Sequence, residues 1–365
     1  MSQYRIEVWT RQGEMLADIS QECLQRQFTV RRNRAESIAL NLDLYAAEQR
    51  ATKSKLGFDQ LFAEGSNELR IFRGDRPLMG GTIYYVQPAV DTGGASLDVR
   101  ATGFLDLLKD RYVWPDTGSF GRTYTTQDLG AVMWDFINYT QQPIANWSLA
   151  NGDFGLRQGT IQTSRTLTDT WQPWATSIRD ILIAITERIN SVDFEFTYDK
   201  KFNVYYPGIG TDKSELLFTY PGNIKRLSLP RDATHLANTV ISRGSGNGSD
   251  QQVVSVRQDA AMQVGLARRE SIIDHSSVNV VQTLADYADE EIRLNGASSK
   301  IPDITLDGLK NPALGSYWIG DRVRFSVPQR ASFAALNGQT WRINEIQITP
   351  DQEDGEEVTL KVGLS

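Results

Sequence analysis

The chain has 365 residues, 40% hydrophobic and 23% charged, a globular composition with room for about two to four domains. Its net charge of −7 argues against a general nucleic-acid binder, because phosphate affinity comes from clustered Lys and Arg. A single cysteine, Cys23, excludes internal disulfides and multi-thiolate metal sites, and no run of about 18 apolar residues is present to span a membrane.

Met1-Ser2-Gln3-Tyr4-Arg5 leads straight into an alternating segment with no apolar leader, which predicts synthesis in a cytoplasm. Residues 1–105 read as β throughout. Tyr4, Ile6 and Val8 alternate with polar residues, as do Ile38, Leu40, Leu42 and Leu44. Leu69-Arg70-Ile71-Phe72 turns through Arg73-Gly74-Asp75-Arg76-Pro77 into Thr82–Val86, a hairpin bounded by Gly and Pro. Leu97, Val99 and Ala101 supply a further strand, and Ala46–Lys55 a short helix. Closely spaced strands with turn signals between them predict a barrel or sandwich.

The pattern changes over 106–228, read here as a mixed α/β insert. Thr125-Thr126-Gln127-Asp128 has capping-box spacing ahead of Leu129, Val132, Met133, Phe136 and Ile137. Ser177-Ile178-Arg179-Asp180 repeats it ahead of Ile181, Leu182, Ile185 and Ile189. Strands follow at Asp193–Tyr198 and Asn203–Tyr206, and Asn146–Trp174 reads as irregular or hairpin-like.

From Leu229 the β pattern returns, so 229–365 is expected to form a second tube-like domain. Leu236–Ile241 and Val253–Arg257 flank the flexible loop Gly244–Ser249. One helix over Val278–Leu294 stops at Gly296. Three strands end the chain: Tyr317–Phe325, Trp341–Ile346 and Glu357–Val362, with Asp354-Gly355 as the hairpin signal between the last two. The fold class is therefore mainly β (α+β), two barrel or sandwich domains flanking an insert, and the outer thirds are candidate structural repeats.

Nothing in the sequence proposes a chemistry. Gly244–Ser249 lacks a following Lys-[Ser/Thr], and Gly208–Lys213 opens no helix, so neither is a nucleotide loop. Asp351–Glu357 lacks calcium-loop spacing and reads as a solvated hairpin tip. His235 and His275 stand alone, which supports neither a triad nor a zinc site. No catalytic residue, cofactor or metal is therefore expected. Carboxylate pairs together with Trp147, Trp171 and Trp174 keep sugar contact open for the insert. Arg31-Arg32-Asn33-Arg34 lies between two strands as a cationic hairpin tip, and Arg31, Arg32 and Arg34 are candidates for an acidic patch on a neighbouring subunit.

Four segments in this order resemble the tail hub (baseplate or tail-tip hub) proteins of siphophages: Phe28–Asn33 leading into an alternating strand; the Glu68–Tyr85 hairpin; Ala101-Thr102-Gly103-Phe104-Leu105-Asp106-Leu107-Leu108; and the helix near 280–294 followed by the terminal Gly320-Asp321 strand cassette. The resemblance covers nearly the whole chain, which departs from many hubs in ending just after the second tube-like domain. It implies a structural, non-enzymatic virion protein at the tail tip. The implied assembly is a homotrimer adapting a six-fold tube to a three-fold tip, with DNA only in transit through a neutral to acidic lumen. Implied partners are the distal tail ring protein, the tape measure protein and tail fibre or spike proteins, in a role connected with host attachment. Alternatives are a distal tail ring component or a carbohydrate-binding or hydrolytic tail-tip protein.

Overall fold

The computed structural model describes residues 3–114, 121–144, 152–188, 191–230, 233–246, 253–259, 267–275, 278–295, 302–327, 332–351 and 355–364. Trp147, Ile189, the end of the Gly244–Ser249 loop, Gly296 and Asp354 lie outside them.

The first part of the chain runs β1 (Tyr4–Thr10), β2 (Met15–Asp18), β3 (Cys23–Arg31), β4 (Ser37–Asp43), α1 (Leu44–Lys53), α2 (Phe58–Leu61), β5 (Asn67–Arg73), β6 (Arg76–Asp91) and β7 (Gly94–Gly103). The expected helix is α1, started by Asp43, whose carboxylate accepts from the Ala46 amide at 2.8 Å. The middle part holds β8 (Arg122–Asp128), α3 (Leu129–Gln141), β9 (Arg157–Gln158), β10 (Thr166–Trp171), α4 (Ile178–Thr186), β11 (Asp193–Phe196) and β12 (Lys201–Tyr205). Here one cap is displaced from the sequence reading. Thr125 does not start α3; residues 122–128 pair with β10, and Asp128 caps the helix through the Gly130 and Ala131 amides. Ser177 caps α4 as expected, accepting from the Asp180 amide.

The last part holds β13 (Asp212–Thr219), β14 (Ile224–Ser228), β15 (Thr239–Arg243), β16 (Val254–Gln258), β17 (Glu270–Asp274), α5 (Val281–Asn295), β18 (Asp303–Asp307), β19 (Arg322–Ser326), β20 (Thr340–Pro350) and β21 (Glu356–Leu364). Two of its pairings differ from the sequence reading. β13 and β14, read as part of the insert, join the large sheet, whereas β15, β16 and β17 form a small sheet of their own against α5.

The large sheet has 13 strands in the order β14-β18-β21-β20-β3-β4-β7-β6-β5-β1-β2, with β19 joining β20 and β13 joining β19. The mainly β fold class is what the chain adopts, but among the described residues no sheet closes into a barrel. The ends of the chain meet directly: β3 pairs antiparallel with β20, Phe28 opposite Ile348 and Arg31 opposite Glu345. One apolar core runs across that junction. Phe28, Val30, Ile38, Leu40 and Leu42 belong to it with Ile346, Ile348, Val358, Leu360 and Val362, each at most 5% exposed. Fully burying such a side chain contributes about 1.5–3 kcal/mol, so the junction is held mainly by this alternation. The sheet also bends back on itself, because Tyr4 on β1 donates to Glu356 on β21, strands that are tenth and third in the order.

Within this sheet the chain repeats itself. The neighbours β3-β4-β7-β6-β5-β1 correspond to β14-β18-β21-β20-β19-β13. Registers correspond as well: Ile83 opposite Ala101 matches Ile343 opposite Val362, and Leu40 opposite Val99 matches Ile304 opposite Leu360. Both long strands carry a bulge at the next position, Tyr84 and Asn344, and both first strands carry one at Leu24 and Lys225. Bulges fix register and bend the strand, so matched bulges are structural equivalences rather than accidents of alternation. The Asp43 and Asp307 amides likewise donate to the Glu22 and Asn223 carbonyls, both at 2.9 Å. One difference remains: β1 is antiparallel to β5, whereas β13 is parallel to β19.

Candidate assembly interface

The β3·β20 seam is where the two repeats of one chain join, and it carries the cationic tip singled out above. β3 ends at Arg31, Asn33 takes a left-handed conformation with φ of 54°, and β4 starts at Ser37. Asn tolerates that region better than most residues, which is why the tip turns here. The tip does not project freely; its acidic partners lie in the same chain. Arg31 donates to Glu345 at 2.8 Å across the seam, and Lys361 approaches Glu345 from β21 at 2.9 Å. Burial raises the Glu345 carboxyl, but hydrogen bonds from Lys361 and Arg31 outweigh it and hold the group below the usual carboxylate range. Arg34 reaches Glu187 of the insert at 2.6 Å, with both side chains nearly half exposed. Such a pair contributes little.

Arg32 leads to the centre of the arrangement. Its guanidinium donates to Asn344 at 3.0 Å and to Asp193 at 2.9 Å. Asp193, the first residue of β11, is buried, and both oxygens are fully used. One accepts from Arg32 and from the Asn33 amide group at 2.7 Å; the other accepts from the Ile209 backbone at 2.9 Å and from Arg342 at 2.5 Å. Arg32 comes from the first repeat, Asp193 from the insert and Arg342 from the second repeat. One carboxylate thus ties three parts of the chain together. The loop ahead of β13, excluded above as a nucleotide loop, delivers the Ile209 amide. Its Gly210 has φ of +88° and packs so closely on Gly320 that a Cβ would lie 2.1 Å from that residue's backbone.

Two further buried ion pairs hold the insert. Lys200 of the β11–β12 turn donates to Glu68 on β5 at 2.5 Å and to the Arg11 and Phe154 carbonyls. Burial lowers the Lys200 ammonium and raises the Glu68 carboxyl, each opposed by the partner's charge. Arg188, beyond α4, pairs with Asp169 of β10 and donates to Tyr287 of α5 at 3.0 Å, so the small sheet and its helix are tied to the insert as well.

A cleft of about 360 Å³ opens between tip, insert and second repeat, lined in part by Arg31, Glu36, Arg76, Glu195, Asp199 and Trp318. Burial, reinforced by Glu195, lifts the Glu36 carboxyl well above its ordinary range. Glu195 is occupied by Tyr205 and Asn203, and Asp199 by Lys201 at 3.0 Å. Among the described residues, no group of three or more His, Cys, Asp or Glu is placed to hold a metal. The tryptophans kept open for sugar contact separate: Trp171 is buried edge-on to Phe136 and Tyr124 as core, and Trp174 is half exposed against Trp114. His275 is stacked on Tyr287 with ring centres 3.7 Å apart, and burial lowers it to about 4.

No protein-family model matches the sequence, and no curated protein matches it. Solved structures do. The 43 kDa tail protein of prophage MuSo2 from Shewanella oneidensis matches with a TM-score of 0.65 at 13% identity, covering 99% of this chain and 98% of that one. A tail protein from Neisseria meningitidis MC58 matches with 0.62 at 11% identity, covering 98% and 96%. The chain has the fold of phage tail proteins. Prophage tail protein gp18 from Listeria monocytogenes EGD-e extends the comparison, with 0.55 at 13% identity over 98% and 94%. The tail-protein fold thus spans the insert and both repeats alike.

The sequence located the tip arginines but not the group that organises them. Asp193 was legible only as the first residue of an alternating strand, and Glu345 as one polar position in another.

Proposed function

We propose that this chain is a structural protein of a phage tail, the hub that closes the distal end of the tail tube. In this reading three copies assemble into a ring at the virion tail tip. Its neighbours are the distal tail ring protein, the tape measure protein and fibre or spike proteins, and DNA passes through the ring when it opens. The observation that carries the reading is the duplication. Each chain contributes two equivalent sheet units in matching register, so three chains present six. A six-fold tube can then seat on a three-fold tip without a mismatch of contacts. The fold shared along the full length of prophage tail proteins supports the same reading. The three-part junction at Asp193 supports a rigid wall element, since it fixes the insert to both repeats. The neutral to acidic lumen is part of the proposal, because a basic channel would hold DNA by its phosphates. The test is the mass of the purified protein in solution together with the rotational symmetry of averaged particle images. Three copies with six similar sectors fit; a stable monomer does not.

A further inference from the structure

The repeat makes one strand edge conspicuous. In the second repeat, β20 pairs with β19 up to Arg342 and then, past its bulge at Asn344, offers the same edge to β3 from Glu345 to Ile348. In the first repeat, β6 pairs with β5 up to Thr82 and has its bulge at the equivalent Tyr84. Ile83 and Ile343 even accept from glycine amides in the same way, Gly65 at 2.7 Å and Gly320 at 2.8 Å. Beyond the bulge, however, no strand among the described residues covers β6 on the edge away from β7. That edge runs over residues 84–91 and carries Tyr84 at 53% and Val90 at 71% exposed. The strand equivalent to β3 is β14, and among the described residues β14 has no partner on the edge away from β18.

We infer that β6, over residues 85–88, docks on the β14 edge of a second copy of this chain, repeating between chains the seam that β20 and β3 make within one. The inference rests on the ring-forming reading above and names the surface that builds the ring. Both halves of the missing seam are present on every copy, β14 at one end of the sheet and the stretch of β6 that runs on past β5, so the contact is head-to-tail and propagates until it closes. A long uncovered strand edge is otherwise an aggregation site, and pairing is one way proteins remove it.

The internal seam supplies the register. Counting on from Ser228, which matches Gln27, places Leu229 at Phe28 and Pro230 at Thr29; counting on from Val86, which matches Ile346, places Gln87 at Gln347. Thr29 faces Gln347 in the internal seam, so Pro230 should face Gln87 of the next copy. Pro88 stands where Ile348 stands and donates no N–H, which shortens the ladder at that end.

The test is a disulfide across the seam. Directly opposed residues on antiparallel strands lie about 4.5–5.5 Å apart at Cα, inside the range a disulfide spans. Gln87 and Pro230 are both exposed in the single chain, so Gln87→Cys and Pro230→Cys leave its core intact. Thr29→Cys with Gln347→Cys is the control, expected to close within one chain. Under oxidation the Gln87→Cys/Pro230→Cys protein should run as covalent multimers, lost on reduction, and neither single variant should. In the unmodified protein, amide exchange over residues 85–87 should slow by about tenfold or more on assembly. If the protein forms a ring by mass but the 87/230 pair stays unlinked while the control closes, this seam is wrong and the ring reading survives. If the protein stays monomeric at every concentration, both are overturned.

Discussion

Replacing Asp193 tests the idea that one carboxylate fastens the insert to both repeats. Asp193→Ala removes the acceptor of four donors, two of them guanidinium groups. Deleting one partner of a buried ion pair costs about 3–5 kcal/mol when the remaining charge stays buried. Here the Asp193 side chain is 4% exposed, but those of Arg32 and Arg342 are 29% and 21% exposed and can recover some water. The Ile209 amide and the Asn33 amide group lose their acceptor with less compensation, at about 1–3 kcal/mol per buried group. The expected loss is therefore near the lower end of the ion-pair range, about 3 kcal/mol. At about 2.1 cal/mol/K of unfolding entropy per residue, that lowers Tm by about 4 °C if the chain unfolds in one transition. Asp193→Asn keeps the size and one acceptor oxygen and should fall between. The assay is thermal unfolding by calorimetry of the wild type, both variants, Arg342→Ala and the double variant. A coupling energy between Asp193 and Arg342 below about 0.5 kcal/mol would mean that the two are independent and the junction carries no load.

Other expectations follow from the same geometry. Reversing Arg31, Arg32 and Arg34 together to Glu should lower the stability of the single chain before any effect on assembly, because Glu345 and Asp193 lie within it; unchanged chemical denaturation would refute this. His275 has a folded pKa of about 4 against an ordinary 6.5, so the unfolded chain binds the extra proton between those values. Stability is therefore lost as pH falls from about 6.5 to 4, by up to about 3 kcal/mol at about 1.36 kcal/mol per unit, and His275→Asn should flatten that part of the profile. Lys200→Met leaves Glu68 buried without its cation, and should loosen the insert enough for limited proteolysis to cut within 106–205 first; a wild-type digestion pattern would contradict it. Purified protein should cleave no peptidoglycan or polysaccharide, and turnover abolished by Glu36→Gln would return the cleft to the hydrolytic alternative.

Much of the fold was legible because its signals are local. Alternation placed the strands around Ile38–Leu42 and Val358–Val362, and Ser177 started α4 where its spacing predicted. The displaced start of α3 shows the limit of such signals: Thr125 and Asp128 both have capping chemistry, and the pairing of 122–128 with β10 decides between them. What sequence could not supply was partner choice over long separations. Nothing in Phe28-Thr29-Val30-Arg31 specifies Ile346 and Ile348 as neighbours, nor does Arg32 specify Asp193. The outer thirds were expected to be repeats, but their equivalent positions were hidden for a related reason. A few equivalent positions keep their residue type, as Ile83 and Ile343 do, but others share only geometry, as with Tyr84 and Asn344 at the two bulges.

In the proposed hub, one chain supplies two of six sectors in a closed ring. Rotational symmetry in averaged images of the purified particle, with mass from light scattering on the same sample, tests it most directly. The expected result is three copies, with three-fold symmetry that looks nearly six-fold where the large sheets lie. A stable monomer, or a true six-fold ring of six copies, would contradict it.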